Sequence, residues 1–150
     1  MQEIKSALLD NCKSYVKERI NTAELALADN RAGLEDDSKS SAGDKYETSR
    51  EIVQQEVIRN ELLLTEARTM EVILSKINTD QSFTTIQNGS LAITNHGSFF
   101  FSIAIGKVEL NKKDYFVISI GSPLGQAFKD KKAGDKVNFN NKNYLIKEVY

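Results

Sequence analysis

Few of the residues on which most active sites and metal centres depend occur in this sequence. Among its 150 residues there are one cysteine, Cys12, one histidine, His96, and no tryptophan. A single cysteine excludes an intramolecular disulfide, and a single histidine excludes most zinc sites and argues against a histidine-based catalytic triad. We therefore expect neither conventional hydrolase chemistry nor a cofactor bound by the chain alone.

Long apolar runs are missing as well. No run approaches the 18 or more residues that cross a bilayer, and residues 1–5 lead directly into an amphipathic pattern without the apolar core of a signal peptide. Apolar residues make up 40% of the chain and charged residues 27%, which is typical of a globular protein. The sequence predicts a cytoplasmic protein that does not contact membranes.

Proline, glycine and charge are distributed unevenly. Residues 1–78 contain no proline and only Gly33 and Gly43, whereas the one proline and the other six glycines follow residue 88. Residues 1–78 also hold 11 basic and 15 acidic side chains, while residues 79–150 hold 9 and 6. This division predicts two parts of different architecture, 1–78 and 82–150, with opposite net charge.

Two long helices are predicted in the first part. Up to about residue 31, apolar residues recur at spacings of three and four, at Ile4, Leu8, Cys12, Tyr15, Val16, Ile20, Ala23 and Leu27. From about Glu47, a nearly heptad stripe contains Val53, Val57, Leu64, Ala67, Leu74 and Ile77, interrupted by Asn60 and Glu71. Residues 32–44 between the stripes, rich in Gly, Ser and Asp, predict a turn.

The two helices are expected to pair as an antiparallel coiled-coil hairpin. Two helices of roughly 28 residues, rising about 1.5 Å per residue, would make a hairpin about 40 Å long with residues 32–44 at its tip. Each stripe is wide enough for one partner helix only, which predicts a stalk. The same periodicity is typical of an intermolecular coiled coil, and both interpretations stay open at this point.

The second part changes to the two-residue period of strands. Five runs rich in β-branched and aromatic residues predict strands at 90–94, 98–105, 115–120, 137–139 and 144–149, and the Asn-rich segments between them predict hairpin turns. Ser122 and Pro123 are suited to begin a short helix. At least one of the phenylalanines at 99–101 must face away from the core, toward the stalk or a partner. The predicted fold class is α+β, a helical hairpin followed by an antiparallel sheet with one short helix.

One segment of the second part resembles a known family. The sequence Ile-Ser-Ile-Gly-Ser-Pro-Leu-Gly-Gln-Ala-Phe at 118–128, followed by Lys-Lys-Ala-Gly-Asp-Lys-Val at 131–137, is similar to the C-terminal signature of the Gre-type transcript cleavage factors. In that family a strand precedes Ser-Pro and a short helix, and Gly-Lys-x-x-Gly-Asp-x-Val precedes a closing strand. Gly89 and Ser90, before the first strand, also match. The resemblance implies an antiparallel coiled coil joined to an FKBP-like domain over nearly the whole chain.

The resemblance also implies a partner. Gre-type factors bind bacterial RNA polymerase, with the globular domain at the mouth of the secondary channel and the coiled coil directed toward the active centre. Ser122, Pro123 and Leu124 correspond to the family segment implicated in contacting the polymerase rim, although ordinary helix capping also accounts for the Ser-Pro pair. The chain is expected to act as a monomer that reaches the nascent RNA 3′ end only indirectly, through the polymerase.

The predicted tip departs from the family pattern. Family members that cleave transcripts carry two acids in an Asp-Leu-x-Glu-Asn segment, and these help to hold a second Mg²⁺ beside that of the polymerase. Aligning Tyr46 with the family tyrosine places Lys39 and Ala42 at the positions of those acids. We select Asp36, Asp37 and Asp44 instead as candidate catalytic and Mg²⁺-binding residues, the Mg²⁺ being shared with the polymerase. The alternative is that these acids cap helix ends and keep the loop soluble.

Four functions compete at this point. The chain stimulates cleavage of backtracked RNA by the polymerase, or it occludes the channel without cleavage, which the unmatched acids favour. A prolyl isomerase on the FKBP-like fold is disfavoured because the chain lacks a tryptophan and a fold does not bring its function with it. A structural coiled-coil oligomer is the fourth. In the polymerase interpretations the chain itself is not an enzyme.

Overall fold

The computed structural model describes the backbone of residues 1–38 and 43–150 and the side chains of residues 1–35 and 47–150. Within these residues two long helices precede six strands and one short helix. In chain order they are α1 (Gln2–Ser38), α2 (Gly43–Ser75), β1 (Leu91–Thr94), β2 (Gly97–Phe101), β3 (Gly106–Leu110), β4 (Lys113–Ile118), α3 (Pro123–Phe128), β5 (Lys136–Phe139) and β6 (Lys142–Val149). The predicted α+β class is confirmed.

Two compact units are distinguished within the chain. One comprises Met1–Lys13 together with Val72–Tyr150, and the other comprises Ser14–Glu71. The first 13 residues of the chain therefore belong to the same unit as the sheet. Over the described residues, no helix combines the length and the apolar character that a membrane span requires.

The helices α1 and α2 pack against each other as a hairpin within one chain. The predicted stripe is buried on α1 at Val16, Ile20, Ala23 and Leu27 and on α2 at Ala67. Among the described residues, side-chain contacts that join the helices include the Asn60 amide donating to Asn30 Oδ1 at 2.9 Å, the Asn30 amide donating to Glu56 Oε2 at 3.1 Å, and the Arg68–Glu24 ion pair at 2.8 Å. The intramolecular hairpin is therefore the arrangement that this periodicity forms.

The predicted turn at residues 32–44 is too wide. Helix α1 continues to Ser38 and α2 already begins at Gly43, so most of this segment is helical backbone. A single glycine inside a helix costs only about 1 kcal/mol, and half-buried Leu34 extends the three-and-four spacing beyond Leu27 and Asn30. The apolar seam therefore outweighs the turn-like composition.

The six strands form one sheet in the order β3-β4-β2-β1-β6-β5. All neighbouring strands are antiparallel except β2 and β4, which are parallel. The strand predicted over 98–105 is too long, because β2 ends at Phe101; a separate edge strand that was not predicted, β3, follows. Two-residue turns join β3 to β4 and β5 to β6, and their asparagines and lysine adopt the left-handed conformation, with φ between 50° and 63° at Asn111, Lys112, Asn140 and Asn141.

Both faces of β2 are buried. Phe99 and Phe101 belong to the main core of the unit, where the Phe128 ring lies 5.3 Å from Phe99 and 5.8 Å from Phe101. Phe100 points to the opposite face and is fully buried beside its cross-strand partners Leu91 and Val117. The start of α1 lies over that face, since Cys12 Sγ and Ser102 Oγ are 3.5 Å apart. The prediction that at least one of these phenylalanines faces away from the main core is confirmed, and of the two predicted neighbours, the stalk or a partner, α1 of the stalk lies on that side.

Candidate functional site

The Ser-Pro segment that carries the family resemblance forms the corner between β4 and α3. Ser122 is the N-cap of α3: its Oγ accepts a hydrogen bond from the Gly125 backbone N–H at 3.0 Å and donates one to the Ser119 carbonyl at 2.7 Å. Pro123 occupies the first helical turn. Its lack of an N–H costs nothing there, because the N–H groups of the first turn have no acceptor within the helix. The predicted helix start is confirmed, and the hydroxyl of Ser122 is engaged within the corner.

Gly125 allows α3 to lie directly against the chain that leaves β4. A β-carbon at this position would lie 2.1 Å from the Ser119 carbonyl oxygen and 2.8 Å from the Ile120 Cα. No other residue type fits at these distances, because even a methyl group would overlap the backbone. The corner is therefore a close-packed unit that holds Pro123 in one fixed place.

The three predicted contact residues differ in what they present. Pro123 is exposed, whereas Leu124 is partly buried and packs on the main core. Exposed Lys129 follows α3 directly, and Lys131 and Lys132 extend the basic cluster. The backbone of this basic segment is fixed, because Asp135 Oδ2 accepts from the Lys132 N–H at 2.9 Å and the Ile86 N–H donates to the Lys131 carbonyl at 2.8 Å. Exposed Pro123 and the three exposed lysines thus lie on backbone segments that hydrogen bonds hold in place.

The predicted tip acids lie outside the residues whose side chains are described. Asp36 and Asp37 belong to the backbone of α1, and Asp44 belongs to the backbone of α2. Lys39 and Ala42 lie outside the described residues. Among residues 1–35 and 47–150, no three His, Cys, Asp or Glu side chains are grouped so that they could hold a metal ion. The chemistry of Asp36, Asp37 and Asp44, three carboxylates, fits Mg²⁺, which prefers hard oxygen ligands.

A buried lysine, which the sequence pattern did not indicate, fixes the segment after α2. Lys5 is 2% exposed; its ammonium donates to the Gln81 carbonyl at 2.8 Å and lies 4.8 Å from the centre of the Phe83 ring. Burial lowers the pKa of Lys5 below its usual value. Gln2 also donates to Asp80. The polar segment at 78–82 is therefore attached to the first turns of α1.

A polar layer interrupts the apolar seam of the hairpin. Asn30 is 8% exposed. Its Oδ1 accepts a hydrogen bond from the Asn60 amide, and its own amide donates one to Glu56 Oε2 at 3.1 Å. Asn60 also lines a groove of about 420 Å³ between the helices, together with Tyr15, Arg19 and Leu63. In the sequence, Asn60 is a polar interruption of the apolar stripe of α2. Its partner Asn30 was missed, although it lies three residues beyond Leu27 at the next seam position.

Comparisons with known proteins identify no relative of this chain. No protein-family model matches the sequence, and no curated protein and no solved structure matches it either.

Proposed function

We propose that the protein is a Gre-type elongation factor that binds RNA polymerase, with the α1–α2 hairpin directed into the secondary channel and the sheet unit contacting the channel rim. One observation carries this proposal: a single chain joins a hairpin of helices of 37 and 33 residues to a six-stranded sheet with a short Ser-Pro helix. Residues 14–38 of α1, the part outside the sheet unit, span about 38 Å at about 1.5 Å per residue. A paired rod of that length reaches the bottom of a narrow pore, which a globular surface cannot.

The local fold of residues 118–137 supports the same proposal. Strand β4 ends at Ile118, Ser122 caps α3, and the Lys-Lys-Ala-Gly-Asp segment leads into β5. This is the order of elements that the family signature carries. In the proposed complex exposed Pro123 contacts the polymerase directly, and Ser122 and Leu124 hold it in position.

Binding is tested with purified core RNA polymerase and fluorescently labelled full-length protein. Pro123→Glu should weaken binding about tenfold or more, equivalent to about 1.4 kcal/mol. The corner should stay folded, because a carboxylate is tolerated at the start of a helix. Gln87→Glu is the matched control, since it adds the same charge at another exposed position of the unit. Failure of the wild-type protein to bind the polymerase would refute the proposed function itself.

Two modes of action are compatible with this binding, and they differ in what the residues at the tip of the hairpin do. In the first mode the carboxylates of Asp36, Asp37 and Asp44 help to hold an Mg²⁺ ion shared with the polymerase. Such an ion, when bound, lowers the pKa of water and stabilises developing charge on an RNA phosphodiester. In the second mode the hairpin occludes the channel and slows transcription without cleavage. The second mode is favoured by Lys39 and Ala42, which stand where the family acids are expected.

A backtracked elongation complex distinguishes the two modes. The complex is incubated with Mg²⁺ and the protein, and RNA length is followed by gel electrophoresis. In the first mode RNA shortens, and the triple variant Asp36→Asn, Asp37→Asn, Asp44→Asn abolishes the shortening. The control triple Glu18→Gln, Asp29→Asn, Glu61→Gln removes the same charge from exposed helix positions and should leave the rate unchanged. Binding without shortening supports occlusion, and shortening that survives the tip triple would refute the assigned acids.

A further inference from the structure

The hairpin seam repeats closely enough to permit more than one pairing. Seven residues before Asn30 is Ala23 and seven after Asn60 is Ala67, and both alanines are buried. Because the helices are antiparallel and Asn30 contacts Asn60, Ala23 lies level with Ala67. The Arg68–Glu24 ion pair of 2.8 Å joins the residues that follow these two alanines in sequence, as a diagonal contact across the same register. Apolar seams at heptad spacing discriminate poorly between registers one heptad apart, or between a partner helix of the same chain and one from a second chain.

The polar layer formed by Asn30, Asn60 and Glu56 distinguishes between these registers. In the observed register Asn30 Oδ1 accepts from the Asn60 amide, and the Asn30 amide donates to Glu56 Oε2 at 3.1 Å. A shift by one heptad would place Asn30 level with Val53 or Ala67. The amide of Asn30 would then lie in an apolar seam without a hydrogen-bonding side chain opposite, which is the costly outcome for a buried polar group.

We propose that the Asn30–Asn60 pair, completed by Glu56, is a polar lock that restricts α1 and α2 to one register and to pairing within one chain. A single buried asparagine layer is known to specify register and oligomeric state in coiled coils while lowering their stability. The lock keeps the axial offset between α1 and α2 fixed. It does not depend on the proposed function.

The test measures distances between spin labels on the two helices of the full-length chain. Labels at exposed Thr22 and Gln55, in a Cys12→Ser background, lie about 20 Å apart along the helix axis in the observed register, and a slip of one heptad changes this by about 10 Å. The double variant Asn30→Leu, Asn60→Leu removes the polar layer and keeps the seam apolar. Val57→Leu is the matched control, since it alters a seam position and leaves both asparagines in place.

The wild-type protein and Val57→Leu should each give one distance and a monomer mass in sedimentation. The double variant should give a second distance displaced by about 10 Å, or a dimer whose fraction rises with concentration. The single variant Asn60→Leu should unfold at a lower urea concentration than the double variant, because it leaves Asn30 buried without its amide partner. A double variant with only the wild-type distance and a monomer mass would overturn the proposal, as would a single variant no less stable than the double.

Discussion

Gly125→Ala is expected to be among the most disruptive single-methyl changes in the sheet unit. The new β-carbon would lie 2.1 Å from the Ser119 carbonyl oxygen, whereas β-carbons in folded proteins essentially never approach closer than 3.0 Å. The chain after β4 and the first turn of α3 would have to separate by nearly 1 Å to relieve the overlap.

That separation breaks further interactions of the corner. Gly125 donates to the Ser122 cap at 3.0 Å and accepts from the Lys129 N–H at 2.9 Å. Overpacking of this kind costs about 1–3 kcal/mol, and loss of the cap adds about 1 kcal/mol. We expect unfolding in urea to report a loss of about 2–4 kcal/mol, equivalent to a fall of roughly 5–15 °C in Tm for a chain of this size.

Gly121→Ala provides the matched control. It adds the same methyl group four residues earlier, at an exposed position where the nearest atom, Ser119 Oγ, is 3.6 Å away. This distance is an ordinary van der Waals contact, so the expected change is within about 0.5 kcal/mol of zero. Equal stabilities of the two variants would refute the claim that close approach of α3 to the β4 exit fixes the corner.

Three further predictions concern the side of the sheet unit that faces α1. Phe100→Ala should lower the free energy of unfolding in urea by about 3–5 kcal/mol, because it leaves a cavity at a fully buried position. A smaller loss than that caused by Phe116→Ala, at a half-buried position, would contradict the burial of both faces of β2. Burial lowers the pKa of the Lys5 ammonium below 10.5. At pH values just below 10.5 the unfolded chain therefore still holds a proton that the folded chain has released, and the free energy of unfolding rises with pH in this range. Lys5→Met should lose that rise, and an identical pH slope in both proteins would contradict the burial of the ammonium. Burial also raises the pKa of the Cys12 thiol, against an opposing hydrogen bond from Ser102, so thiol reagents should modify Cys12 only as the unit opens, and rapid modification of the native protein would contradict this packing.

The sequence predicts the elements whose burial has a regular period. The seam residues of the hairpin are periodic over many turns, and the Ser-Pro cap of α3 is a local signal, so both were predictable. The end of α1 was not, because Gly33 and the acidic residues after it have the composition of a turn, while the seam position of Leu34 decides the outcome. Edge strand β3 was missed because its residues are mostly exposed and only Val108 and Leu110 are half-buried.

The missed polar groups depend on contacts between distant residues. Asn30 and Asn60 are 30 residues apart and Lys5 and Gln81 are 76 apart, so no local pattern relates them. Their partners depend on the register of the hairpin and on the path of the segment after α2, which is known only once the fold is known. The tip acids are the converse case: the family resemblance directed attention to them, and they lie beyond the described side chains.

Photo-cross-linking from the segment between the helices tests the central claim most directly. A photoreactive amino acid replaces Ser40 in the full-length protein, and a second variant carries it at exposed Glu109 on edge strand β3. Each is irradiated in complex with RNA polymerase, and the cross-linked peptides are identified by mass spectrometry. Position 40 should cross-link to polymerase residues beside the active centre, and position 109 should not. Cross-links from position 40 only to the outer surface of the polymerase, or none at all, would contradict insertion of the hairpin into the channel.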